Sequence, residues 1–211
     1  VNLGTAGNYA LLAETAISNV PNSFIVGNVG LSPGALAGIQ GFSLVLDGSG
    51  QFARSAQVSG QITAADTSPA PLTTATGDKL AAYNDAAARA ATYTNEGAGD
   101  IGGLVLLPGV HKFTTGVRVQ STLVLQGTCT DVFIFQVSGT FTQAANVGIS
   151  LVGGVRPSQV FWQVSGAMTI GAGAQFQGIA LGGTAITFQT GASATGRLLA
   201  QSAISLDQNS I

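Results

Sequence analysis

Apolar residues in this chain come in short runs, broken by Gly, Ser, Thr and Gln. That is the pattern of many brief strands joined by tight turns. Over the last third it repeats. SGTFT (residues 138–142), SGAMT (165–169), TAITF (184–188) and SAISL (202–206) align, and Met168, Ile186 and Ile204 lie 18 residues apart at each step. The step from Phe141 to Met168 is 27, lengthened by the polar run 153–159. A period of 18 is too short for a helix pair. It fits one turn of a β-solenoid, with three short strands and three bends per coil.

Strand side chains alternate, so if Ile186 and Phe188 point inward, Ala185, Thr187 and Gln189 point outward. The same register turns Thr140 and Thr142, Ala167 and Thr169, and Ala203 and Ser205 outward. Stacked coils then set Thr or Ser over Thr at about 4.7–4.9 Å, beside a column of Ala and Thr. The expected surface is flat, dotted with hydroxyls and nearly uncharged. TAIS at 15–18 copies the C-terminal motifs and adds Ala16 and Ser18. SGQIT at 59–63 has the form of SGAMT and adds Gln61 and Thr63 to the same face.

Residues 73–96 break the strand pattern, being Ala-rich with few β-branched side chains. They predict one helix, after a linker at 64–71 marked by Pro69 and Pro71 and ended by Gly97 or Gly99. Leu80, Tyr83, Ala87 and Ala90 form its docking stripe. Asp78, Ala82, Asp85 and Arg89 lie opposite, with Asp85 and Arg89 a favourable i,i+4 pair. DVFIFQV (131–137) and VFWQV (160–164) are apolar on both faces and need a cover. The helix supplies one, with Ile134 and Phe161 as its contacts and Phe133, Phe135 and Trp162 inside the coil.

Composition narrows the function. The 211 residues suit a single elongated domain spanning 1–211. Charged residues are 8% of the chain, against about 25% in a typical soluble protein. A net charge of −2 offers no footprint for nucleic acid or an anionic membrane. No uninterrupted apolar run reaches membrane-spanning length. Cys129 is the only cysteine, which excludes intrachain disulfides and zinc clusters, and it is expected as a small core or turn residue. No signal peptide precedes Val1, and low charge with Ser/Thr richness leans toward a secreted, mature chain.

Solenoid lyases and hydrolases need converging carboxylates or a cation site. Between Gly139 and Ile211 the only charged residues are Arg156, Arg197 and Asp207. His111 follows a Pro-Gly turn and is expected as a turn or surface residue without a partner. Glu14 is expected as a solvated edge charge. The reading is therefore a non-enzyme with no metal and no cofactor. An adhesive or structural cell-surface solenoid is the alternative. Against it, Tyr9, Tyr83, Tyr93 and Trp162 all lie off the hydroxyl face, leaving no ring there to stack on sugars.

Seven segments, taken in order, carry a resemblance: AGNYALLAETAIS (6–18), GNVGLSPG (27–34), AYNDAAAR (82–89), LLPGVH (106–111), DVFIFQVSG (131–139), VFWQVSG (160–166) and GRLLAQSAISL (196–206). Together they resemble the ice-binding proteins of the domain-of-unknown-function 3494 type, in their fungal form. The resemblance implies a mainly β fold: a right-handed β-helix of triangular cross-section with one long α-helix packed alongside. It implies out-of-order coils, with the C-terminal coil beside the N-terminal one. It also implies that one flat face meets the ice surface and its ordered water, often through T-A/G-x-T/N motifs, which Thr184, Ala185, Ile186 and Thr187 match. The protein would act as a monomer and depress freezing or inhibit recrystallisation. The short segment 31–41 implies that the long capping insertion of some members is absent.

Overall fold

The computed structural model describes residues 1–211. Almost all strands pair in parallel, each with its counterpart in a neighbouring coil, so the chain winds into a right-handed β-helix of triangular cross-section. Its walls are sheets of eleven, seven and three strands. Inward side chains stack into columns because parallel pairing keeps equivalent positions in register. One column aligns Tyr93, His111, Phe135 and Trp162. Phe135 and Trp162 stack with ring centroids 3.8 Å apart.

Coil order departs from chain order. The strand Ala203–Asp207 lies between Ile186–Phe188 and Ala16–Val20, pairing Ala16 with Ala203 and Ser18 with Ser205. One wall away, Leu11 pairs with Leu198. The C-terminal coil thus lies against the N-terminal one, as expected. A short antiparallel pair, Val45–Leu46 with Ala53–Ser55, closes that end of the large sheet.

The helix covers Pro69–Ala88, starting earlier and ending earlier than 73–96. Pro69 and Pro71 are compatible with the first turn, where a missing N–H costs no helical bond; they are helix, not linker. At the other end Arg89 is extended. There the side-chain amide of Gln136 donates to the carbonyls of Ala86 (2.8 Å) and Arg89 (2.7 Å), occupying acceptors the helix leaves free. Tyr93–Thr94 then joins the large sheet, and Gly97 and Gly99 belong to a separate short turn, Glu96–Gly99.

The docking stripe is also different. Leu72, Ala75, Lys79, Ala82 and Ala86 face the sheet, whereas Leu80 is 45% exposed and Ala87 is open to solvent. Small residues decide it: three alanines on one stripe let the helix come closer than Leu80 would, with Tyr83 half-buried against the same cluster. The sheet answers with Leu12, Ile134, Phe161, Ile179, Leu181 and Leu199. Ile134 and Phe161 are thus the helix contacts, and Phe133, Phe135 and Trp162 are interior. Asp85 and Arg89 form the expected ion pair at 2.9 Å.

Two charged residues have partners the sequence did not suggest. Lys79 is buried within the docking stripe, where its Nζ donates to Glu14 (2.8 Å) and to the Ala200 carbonyl (2.7 Å). Burial lowers the Lys79 pKa, against the raising effect of Glu14. Glu14 is therefore the counter-ion that ties the helix to the coil, not a free edge charge. His111 is fully buried, not a turn or surface residue. It stacks between Tyr93 and Phe135 at 4.9 Å from each, donates from Nε2 to the Leu107 carbonyl (3.0 Å), and sets Nδ1 2.5 Å from Glu96. Its place in the aromatic column follows from pairing with Phe135. Cys129 is exposed in a turn.

Candidate functional site

The helix packs only on the eleven-stranded sheet and leaves the outer face of the seven-stranded sheet uncovered. Its strands run, in spatial order, Val117–Val119, Phe141–Gln143, Met168–Ile170, Ile186–Phe188, Ala203–Asp207, Ala16–Val20 and Ile39–Gln40. The inward column beneath it is Val117, Phe141, Met168, Ile186, Ile204, Ile17 and Ile39, each no more than 4% exposed. That packed column leaves the backbone little room to shift.

Outward, the register prints a row: Arg118, Thr142, Thr169, Thr187, Ser205, Ser18, Gln40. The preceding outward position gives a second row, in which Gly116, Thr140, Ala167, Ala185, Ala203, Ala16 and Gly38 follow one another. The Thr140, Ala167 and Ala185 carbonyls each accept from the next strand, which fixes that stacking. Ten of the twelve residues singled out from the sequence therefore meet on one wall: Thr140, Thr142, Ala167, Thr169, Ala185, Thr187, Ala203, Ser205, Ala16 and Ser18. Ser18 donates to Ser205 at 3.2 Å. The hydroxyls of Thr142, Thr169 and Thr187 make no bond within the chain, so they point to solvent.

Gln61 and Thr63 do not join them. Val58–Ala64 belongs to the eleven-stranded sheet, where Ile62 pairs with Val29. Both residues line a polar hollow of about 330 Å³ with Asn8, Tyr9 and Asn28. SGQIT reproduces the alternation of the C-terminal motifs but carries no mark of which wall it occupies, and the segment before it leaves the 18-residue period.

Electrostatically the wall is bare. From Thr142 to Ser18 the two rows hold no titratable group. Arg118 stands at one end, and Asp207 sits at the sheet margin, accepting a bond from the Thr190 hydroxyl. There is no clustering of His, Cys, Asp or Glu that could hold a metal ion. A surface of Ala and Thr methyls among unengaged hydroxyls can order water, but it offers no nucleophile or base to act on a bond.

The model of the ice-binding-like family matches residues 11–211. The chain belongs to the ice-binding-like family. Within it, the chain is similar to an ice-binding protein of Flammulina populicola, 46% identical over 215 residues, spanning 100% of this chain and 87% of that one. Ice-binding protein K3-B1 of Typhula ishikariensis is 47% identical over 191 residues, covering 89% and 79%. Among solved structures, a glycosylated ice-binding protein from an Arctic yeast superposes with a TM-score of 0.98 at 38% identity, covering 100% of this chain and 93% of that one. The family membership accounts for the solenoid, the helix beside it and the out-of-order coil. Sequence inspection missed Arg118 and Gln40 at the ends of the hydroxyl row. Aligning VRV (117–119) with FTQ (141–143) would have found the first.

Proposed function

We propose that this ice-binding-like protein adsorbs to ice through the seven-stranded wall, with the ten residues from Thr140 to Ser18 as its contact surface. One observation carries the reading: Thr142, Thr169, Thr187, Ser205 and Ser18 stand in an unbroken register over a rigid apolar column. Methyl groups restrict the water around them, and hydroxyls anchor that water by hydrogen bonds. Short side chains lose little freedom on adsorption. The ordered layer merges with the crystal, and adsorbed molecules force the ice to advance as curved fronts between them. Freezing is delayed and recrystallisation slowed without any reaction, metal or cofactor.

On this reading the protein works as a monomer outside the cell, and its partner is the ice surface. The test is a single ice crystal grown under a microscope in a solution of the protein. Faceting or halted growth over a temperature gap is the expected result. Rounded discs that grow freely would refute it.

A further inference from the structure

We infer that Arg118 sets the extent of the contact face, ending it one strand before the sheet ends; this rests on the ice-adsorption reading above. The two outward rows do not stop together. The small-residue row continues past Thr140 to Gly116 and then to Gly99, since a Cβ on Gly99 would fall 2.7 Å from the Gly116 carbonyl. The hydroxyl row over the same strands stops at Thr142, because the next position is Arg118. Beneath it the wall is unchanged: Val117 packs inward and its amide donates to the Thr140 carbonyl at 2.8 Å.

Arg118 is exposed and forms no ion pair. Its backbone is bridged to Asp100, yet the Asp100 carboxylate accepts from the Gly102 amide at 3.2 Å instead of meeting the guanidinium. Nothing holds the arginine down against the sheet. A hollow of about 330 Å³ lies between it and Gly99, Gly116, Thr140 and Thr142, because a long stem rises beside two residues that have no side chain.

A free guanidinium is unsuited to an ice lattice in two ways. Its five N–H donors hold water in directions set by the fork. Its long stem loses rotamer freedom if it is pressed flat. Five strands of hydroxyls are then usable out of the seven in the sheet. At the opposite end Gln40 is long but neutral, so the charged boundary lies on one side only.

The experiment compares freezing hysteresis of Arg118→Thr, Arg118→Lys and Thr187→Tyr with the parent at equal concentration, together with melting temperature. Arg118→Thr should raise hysteresis by at least the ~20% that a sixth strand spacing adds to five. Arg118→Lys should match the parent, since it keeps a long cation, and neither should shift melting. If Arg118→Thr leaves hysteresis unchanged or lowers it while Thr187→Tyr abolishes it, Arg118 does not limit the face although ice adsorption stands. If Thr187→Tyr keeps full hysteresis, the adsorption reading itself fails, and this inference with it. Should Arg118→Thr fold poorly, Arg118→Ala removes the same stem and is read by the same criterion.

Discussion

Outward side chains on the eleven-stranded wall are large where the helix lies over them: Leu12, Ile134, Phe161, Ile179, Leu181 and Leu199 are at most 5% exposed. Between Arg118 and Gln40 the outward side chains of the two rows on the seven-stranded wall are Ala, Ser and Thr, half-buried or exposed, with a single hydrogen bond among them, Ser18 to Ser205. Both walls belong to the same coils and close on the same interior core. The first wall spends its outer face on holding the helix; the outer face of the second contributes little to stability. On the proposed reading, stability and function fall on different sides of one coil, and substitutions should separate them.

The largest expected contrast follows from that division. Leu199→Ala, buried under the helix, should cost about 2–5 kcal/mol by the transfer and cavity terms for a core leucine. The molecules that remain folded should keep full hysteresis in the cold. Thr187→Tyr and Ala203→Tyr should do the reverse, removing most of the hysteresis while stability stays within about ±0.5 kcal/mol, as for other surface changes. A ring on either position lifts the wall off the lattice over several neighbours at once. Denaturant unfolding alongside hysteresis measures both quantities. Loss of hysteresis in Leu199→Ala at full folding would erase the contrast.

Next come changes that ask where the contact surface ends. Gln61→Tyr and Thr195→Tyr place the same ring on the eleven-stranded wall. Hysteresis should be unaltered in both. A loss with Gln61→Tyr would return that residue to the contact surface and make the face span two walls.

A smaller effect is expected at Lys79. Its folded pKa is lowered because burial outweighs Glu14. Between that value and the ordinary 10.5 the unfolded chain binds more protons than the folded one, so stability rises with pH across the window. Lys79→Met should remove this rise and lower stability near neutral pH, since it leaves Glu14 and the Ala200 carbonyl without their donor. Parallel unfolding curves for parent and variant across alkaline pH check it.

The smallest effect is at acid pH. Thr5 bonds lower the Asp78 pKa and the Arg89 bond lowers that of Asp85, both below the usual 3.8. What they contribute is present above that value and lost as pH falls through the folded one. Both carboxylates sit on the helix side. Hysteresis should therefore stay flat down to the point where the fold itself fails, and a titrating step above it would reveal a group on the contact wall that the two rows lack.

Legibility in the sequence followed the same division. The hydroxyl wall was readable because its motifs recur, three of them at 18-residue steps, and ten of its residues could be named from the motifs and their alternation. The helix was readable as a helix, but not its docking face. Leu80 looked like the natural contact by hydropathy, whereas close approach favours Ala75, Ala82 and Ala86. His111 and Glu14 were misjudged because each is buried or tied by a partner distant in sequence, and Lys79 went unread for the same reason. Glu14 lies 65 positions from Lys79, and no local pattern announces such a pair. Gln61 and Thr63 failed for a different reason: a strand's alternation gives its two sides but not its wall.

The seam in the contact wall has a consequence for synthesis. Ser18 and Ser205 are neighbours on that wall and 187 positions apart in the chain. A ribosome delivers Ala16–Val20 long before Ala203–Asp207, which is the partner that joins it to the rest of the sheet. Until then the early strands present an open parallel edge and an uncovered Ile17, features that invite pairing with other nascent chains. Contacts of such long separation also form slowly. The wall becomes continuous only once residues 203–207 lie between Ile186–Phe188 and Ala16–Val20.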